Sequence, residues 1–548
     1  MSQYDAIVIG SGATGGVAAL TLAESGAKVL VIESGKKKTI KESIGAEPIN
    51  TINRISGIIS GEKRIQSQHP GYWKNNPLLY SNEFENKYIT PKDKPFLWTQ
   101  GDQVGGRSLT WGGITLRLSE MDLKPYSTDG YGSNWPINYK DLEPHYCALE
   151  KRLNIYGDLN QLEQLPDGIY KKFLPFTASE NYLGDLVERN LGYPFIHSRG
   201  FGPYRSISNN KWPSFSSLGS TLGIALSTGK VEIMDGHIVE RIVFEANVEK
   251  ANGIVAIDKD NGSRKEINAN LIVLCASTIQ TIKILLNSEI SKNKDGFIDP
   301  SGKLGCNLMD HISTCHFFTL PKDKSTAYSD IPNQEKILSG AGSFFIPFGN
   351  KLNKIKKVDF IRGYGIWGGI DRFEPPEILK KYPDSKIGFL IGHGEVLSSI
   401  SNNIILSSKQ DRLGLPIPLI SFQWGENERK MVINMNQTIN QIIDMVGGQR
   451  LPINQIIKMP LGNFIRDKAV ALKDQAPPPG YYIHEVGGAQ MGSKENESVV
   501  DKFNRLWRCK NVLVVDGACW PTSSWQSPTL TMMAITRRAC LEALKNQA

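Results

Sequence analysis

Two stretches of the sequence hold residues that could do chemistry together. The first is YYIHEVGGAQMG, residues 481 to 492, which sets His484 between an apolar run and a glycine pair. The chain has eight histidines, and His484 is the only one after His393. A neutral imidazole, with an ordinary pKa of about 6.5, can take a proton from a hydroxyl at neutral pH and release it again. A metal-binding role is the poorer reading. A zinc-protease helix needs a second histidine at i+4, and Gly487 with Gly488 argues against a helix here. The second stretch is YDAIVIGSGATGGVAALTLAESGAKVLVIESG, residues 4 to 35, where Gly10, Gly12 and Gly15 form a GxGxxG pattern.

That pattern has the context it needs. Ala6 to Ile9 and Lys28 to Ile32 are short apolar runs that predict buried strands, and Val17, Leu20 and Ala23 recur at helical spacing between them. Gly26 suits the end of that helix. Gly10 permits the turn, Gly12 lets the backbone approach a pyrophosphate, and Gly15 lets helix and strand pack closely. Ala13 and Thr14 open the helix, whose free N–H groups and dipole favour phosphate. Glu33 closes the second strand, where a carboxylate can accept hydrogen bonds from the hydroxyls of an adenosine ribose. These residues predict a dinucleotide site and leave FAD and NAD both open.

The tail favours a flavin. In NVLVVDGACWPTSSWQSPTLTMMAITRRACLEAL a strand at 512–515 leads to Asp516-Gly517, and a helix starts near Ser527-Pro528. Serine caps helices well and proline suits their first position. From Thr529 onward Leu530, Met533, Ile535, Ala539 and Leu544 keep helical spacing. Such a helix would aim its positive end at an isoalloxazine and stabilise its anionic reduced form.

Composition supports a folded, multi-domain protein. At ~150 residues per domain, 548 residues predict two or more domains. Hydrophobic residues make up 40% and charged residues 22%, with a net charge of +8 that is weak for this length. Lys36 to Lys38 form the only dense basic cluster and have no aromatic neighbours, which argues against a nucleic-acid surface. Seven scattered cysteines without a CxxC pair indicate neither a disulfide framework nor a zinc ribbon. With no transmembrane run and no signal peptide, the expected setting is cytoplasmic.

On these residues the chain resembles the glucose-methanol-choline (GMC) oxidoreductases, in the bacterial branch with gluconate- and pyranose-type enzymes. Four further stretches carry the likeness: GDQVGGRSLTWGG (101 to 113), NWPINYKDLEPHYCALEKRLNIYG (134 to 157), LGCNLMDH (304 to 311) and SNNIILSSKQDRLGLPIP (401 to 418). The resemblance implies an α/β plus α+β protein. A discontinuous Rossmann-like FAD-binding domain would be roofed by a substrate domain on a mostly antiparallel sheet. Its implied flavin domain takes residues 1–40, the glycine loop 99–119, 195–315 and 476–548. The substrate domain takes 120–194 and 316–475, and residues 41–98 form a lid or surface excursion.

The resemblance also implies roles. FAD would be held by the residues above and by Gly105, Gly106, Ser108, Thr110, Trp111 and Gly112 of the glycine loop, with Asp516, Gly517, Pro528 and Thr529 from the tail. His484 falls where the family keeps its catalytic histidine, the base that removes the hydroxyl proton while hydride passes to flavin N5. The usual second polar residue is replaced by Ser527, flanked by Gln526; both are candidate partners. Thr110 stands where pyranose-type relatives keep a flavin-linking histidine, so FAD should be non-covalent. Ser277 replaces the glycine of the usual AAG. The expected substrate is a small alcohol such as a polyol, sugar or cyclitol, and no metal is expected. The electron acceptor (oxygen, a quinone or a cytochrome) stays open. The rival readings are a flavoprotein with non-oxidative chemistry on the same scaffold and a non-catalytic flavin-binding subunit.

Overall fold

The computed structural model describes residues 3–203, 211–245, 249–289, 296–349, 358–372, 381–452 and 476–545. In chain order its strands begin with β1 (Tyr4–Ile9), β2 (Val29–Ile32), β3 (Ile196–His197), β4 (Val231–Met234), β5 (His237–Phe244), β6 (Ala251–Asp258), β7 (Arg264–Leu274) and β8 (Ile312–Pro321). They continue with β9 (Phe344–Gly349), β10 (Gly363–Ile370), β11 (Ser385–Gly394), β12 (Asn403–Gln410), β13 (Pro416–Ser421), β14 (Gln449–Leu451) and β15 (Val512–Val514).

The first sheet runs β4-β2-β1-β7-β6-β5, and β15 also pairs with β7. Its parallel centre is β4, β2, β1, β7 and β15. The strands β1 and β2 are almost wholly apolar and buried, as a sheet covered on both faces requires. Strand β7 serves two pairings. Its end, from Ala269, lies parallel to β1, while its start pairs antiparallel with β6. The helix Ala13–Glu24 leaves the end of β1 and packs against the helices Thr221–Ser227 and Thr529–Lys545. Head and tail of the chain therefore meet in one layer.

The second sheet, β14-β8-β11-β10-β9-β3, is antiparallel throughout. The helix Glu426–Met445 backs it, with Met431, Met435, Ile439 and Ile442 fully buried. Gly392 and Gly394 on β11 allow this approach, because a Cβ at either would run into Met435 or Met431. One continuous apolar core joins the sheets, from Ile7 through Trp135 and Ile312 to Met435.

Three details add to the sequence reading. Strand β3, inside the expected flavin segment 195–315, pairs with β9 in the roof. Strand β13, within the expected substrate segment 316–475, pairs with β12 in a two-stranded hairpin separate from the roof sheet. Residues 41–98, expected as a lid or surface excursion, carry the helices Ile49–Ser60 and Pro70–Lys74 and contribute His69, Pro70, Tyr80 and Trp98 to the wall of the central cavity. Part of the expected substrate segment, residues 453–475, lies outside the described residues.

Candidate active site

A cavity of about 1010 Å³ runs from the β1 turn to the roof sheet. Gly10, Gly12, Ala13, Thr14 and Glu33 line one end, and Gly106, Ser108, Thr110, Trp111 and Gly112 line its flank. Asp516, Gly517, Ser527, Pro528 and Thr529 reach it from the tail, and His484 from the preceding loop.

The dinucleotide end fits FAD by shape. A Cβ on Gly10 would collide with the Cys275 carbonyl, and one on Gly15 with the Gly10 carbonyl, so both glycines serve packing. A Cβ on Gly12 would meet nothing within 4 Å: that backbone faces open space at the start of the helix, where a pyrophosphate would lie. Gly105 stands behind the wall, with φ of 96° and its N–H donating to Ser11 Oγ at 2.9 Å.

Glu33 is buried and its carboxylate is crowded. Oε2 accepts from Ser11 N–H at 3.0 Å and Ser11 Oγ at 2.6 Å, while Oε1 accepts from Gly35 N–H at 2.9 Å and Ser34 Oγ at 3.2 Å. A carboxylate has about four acceptor sites, so ribose hydroxyls would replace the rotatable serine hydroxyls. Burial raises its pKa, against the pull of the Ser11 and Gly35 hydrogen bonds.

The other end is a cluster of three histidines. Met309 and Val486 exchange backbone hydrogen bonds in an antiparallel bridge, at 2.8 and 2.9 Å. Two residues further on in one segment and two back in the other, that register sets His311 opposite His484. Their Nδ1 atoms are 3.0 Å apart. His393, near the end of β11, comes alongside because β11 pairs with the start of β8. Its ring stacks 5.5 Å from that of His311 and 5.3 Å from that of Tyr482.

Carbonyl oxygens only accept, and this settles the tautomers. The Ser524 carbonyl lies 2.5 Å from His311 Nε2, so Nε2 carries the proton. His311 Nδ1 is then the acceptor in the neutral ring, and His484 Nδ1–H is its donor. The lone pair of His484 is left on Nε2, which hydrogen-bonds to none of the described residues, in a ring that lines the cavity. In the same way His393 Nδ1 donates to the Trp525 carbonyl at 2.8 Å.

All three rings are held neutral. Burial pushes His311 down to about 4, and burial with the neighbouring His311 pushes His393 down to about 3. Burial lowers His484 well below its ordinary value, helped by His311, His393 and Arg107. Its ring is only half-buried by surface, but that surface opens into the cavity, where protein surrounds it. Beside it, Arg107 donates to Glu485 at 3.0 Å and to Ser277 Oγ at 2.7 Å. Asp310 accepts from the N–H groups of Gly480 and His484, and burial lifts its carboxyl to about 7.

Of the three expected catalytic residues, His484 and Ser527 both line the cavity. Gln526 does not join them. Fully buried, it donates to Asp122 at 2.8 Å and to the Gln164 carbonyl at 3.1 Å, turned toward the segment before the roof sheet. His311, His393, Asp310, Arg107 and His69 were not singled out from sequence. For the first and third, the carboxylate-imidazole pair ending LGCNLMDH was the available signal. Among the described residues no group of three or more His, Cys, Asp or Glu could hold a metal ion, and no helix is long and apolar enough to cross a membrane.

A parallel dinucleotide-binding sheet, a covering antiparallel roof and a shared cavity with a neutral imidazole define an oxidoreductase scaffold. The sequence models of the GMC oxidoreductase family match residues 4–313 and 399–536, and the chain belongs to that family. It is an FAD-dependent oxidoreductase of the alcohol- and sugar-oxidising class.

Its relatives include the fructose dehydrogenase large subunit of Gluconobacter japonicus, 24% identical, with 98% of this chain and 96% of that protein covered. Another is 2-methyl-1,2-propanediol dehydrogenase of Mycolicibacterium austroafricanum, also 24% identical, with 98% and 94% covered. Among solved structures, pyridoxine 4-oxidase from Mesorbium loti shares the fold, with a TM-score of 0.64, 16% identity and 98% of each chain covered.

Proposed function

We propose that this protein oxidises a CH–OH group of a small polyhydroxylated alcohol, such as a polyol, sugar or cyclitol, with His484 Nε2 as the base. FAD, when bound along the cavity, supplies the hydride acceptor. Gly12, Ala13 and Thr14 would hold its pyrophosphate, Glu33 its ribose, and Pro528-Thr529 would bring a helix N-terminus to it. The observation that carries the reading is the directed chain from the Ser524 carbonyl through His311 to His484, which leaves a free lone pair on a neutral imidazole in the cavity.

His484 takes the hydroxyl proton and, by fixing that oxygen, also orients the carbon that is oxidised. Ser527, in the same cavity, offers a second polar contact to the substrate oxygen.

The roof supports a polyhydroxylated substrate. Asn436 Oδ1 accepts from Thr314 Oγ1 and from His316 Nε2, both at 2.7 Å. This leaves His316 Nδ1 and the Thr314 oxygen as acceptors for hydroxyl donors, beside the apolar walls of Trp367, Tyr482 and Phe317. Two relatives, by their names, act on fructose and on a propanediol. FAD is held without a covalent bond, since Thr110 offers a hydroxyl in place of an imidazole.

The test is anaerobic titration of the yellow protein with sugars, polyols and cyclitols. Bleaching of the flavin band by at least one of them is expected. FAD that stays oxidised with the whole panel would contradict the reading, and colour retained in an acid-precipitated pellet would contradict the non-covalent assignment.

A further inference from the structure

We infer that Ile483 is a positioning residue whose left-handed backbone aims His484 at the cavity, with the Asp310 carboxylate holding it there. The inference rests on the reading of His484 as the base. Eight described non-glycine residues have positive φ, and seven are Asn, Asp, Gln, Ser or Arg; Ile483, at φ 64°, is the only β-branched one. Two branches on Cβ make that conformation a genuine outlier, and a fold keeps such strain only where its surroundings over-determine it.

The surroundings here are explicit. Asp310 Oδ2 accepts from Gly480 N–H at 2.8 Å and Oδ1 from His484 N–H at 2.9 Å, so one carboxylate spans both ends of the turn. Ile483 N–H closes the turn onto the Gly480 carbonyl at 3.3 Å. The next residue, His311, accepts a hydrogen bond from the ring Nδ1–H of His484. A single dipeptide, Asp310-His311, thus grips the backbone and the imidazole of His484 at once, and both grips need the reversal at Ile483. Downstream, the Glu485 carbonyl accepts from Thr278 Oγ1 and its carboxylate pairs with Arg107. His484 is bracketed on both sides.

The Ile483 side chain is half-buried and lines the cavity, so it could act through its own contacts instead. Two substitutions separate the cases. Asparagine tolerates the left-handed region but removes the apolar branches, whereas glycine adopts it freely and leaves it as freely.

With FAD bound, Ile483→Asn is expected to reduce anaerobically within about threefold of wild type. Ile483→Gly is expected to slow about tenfold or more, in kcat and not in KM, with its acid limb moving toward the ordinary imidazole range. Nitrogen-15 NMR of the apoprotein adds a readout independent of turnover. The His484 ring should be a single Nδ1–H tautomer in wild type and the Asn variant, and a tautomer mixture in the Gly variant.

Equal slowing in both variants, or a Gly variant with wild-type rate and tautomer, overturns the inference. His484→Ala separates the underlying reading: wild-type reduction there overturns both, whereas its collapse beside an unimpaired Ile483→Gly overturns the positioning role alone.

Discussion

The two ends of the cavity are built on opposite principles. At the dinucleotide end one contiguous stretch makes the site, and its specialised positions are glycines that relieve steric conflict: Gly10 at φ 100°, and Gly15 beneath it with no room for a Cβ. At the histidine end three rings arrive from separate elements; His311 and His484 lie 173 residues apart in the chain. The His484 loop has left-handed glycines too, Gly480, Gly487 and Gly488. The residue directly before His484, however, is Ile483, at φ 64°, and Ser277, at φ 75°, is held by Arg107 beside the same loop. Both are side chains in conformations that glycine would adopt without strain. Binding a large cofactor needs space near the backbone, and glycine makes space. Aiming one nitrogen needs restriction, and a strained residue held by Asp310 or Arg107 restricts more than glycine would.

The contrast breaks most visibly at the packing glycines. Gly15→Ala should yield protein without bound FAD, checked by the ratio of visible to ultraviolet absorbance. A yellow, full-occupancy variant would show that the turn can relax. A smaller effect is expected at the opposite end. His311→Gln loses the ring acceptor that sets the His484 tautomer, so FAD should stay bound while stopped-flow reduction slows about tenfold.

Next comes the pH profile of the wild type. Burial and neighbouring rings hold His484 below its ordinary pKa, so it stays neutral as the pH falls through 6.5. The reduction rate should be flat there and decline only at more acid pH; a midpoint near 6.5 would place the base in open solvent. The smallest effect is at Ser277. Its φ of 75° and ψ of 147° lie close to a region that is essentially glycine's alone, so Ser277→Gly should stabilise the protein by about 1 kcal/mol, measured by thermal unfolding. A lower unfolding midpoint would mean that the Arg107 hydrogen bond outweighs the strain.

How much of this was legible followed the same division. The β1-turn-helix-β2 unit and the helix at Pro528 are periodic or punctuated patterns within a few turns of chain, and the structure keeps them. His484 stood out by type and by family position. His393 could not be assigned, because its place depends on the register of β11 with β8, which only the folded sheet defines. The His311–His484 pairing likewise depends on one isolated bridge at Met309 and Val486. Gln526 and Ser527 are adjacent in sequence, yet one is drawn to Asp122 and the other lines the cavity, a choice made by long-range partners. The part of the cavity wall drawn from residues 41–98, including His69, carries no motif, and the segment was read as a lid or surface excursion without any residue named in it.

The most direct test of the account is anaerobic reduction of His484→Ala by a substrate that bleaches the wild type. The account predicts a yellow protein with full FAD occupancy whose reduction is slower by about 100-fold or more, on the scale of lost acid–base catalysis. Reduction at the wild-type rate, with FAD still bound, would contradict it.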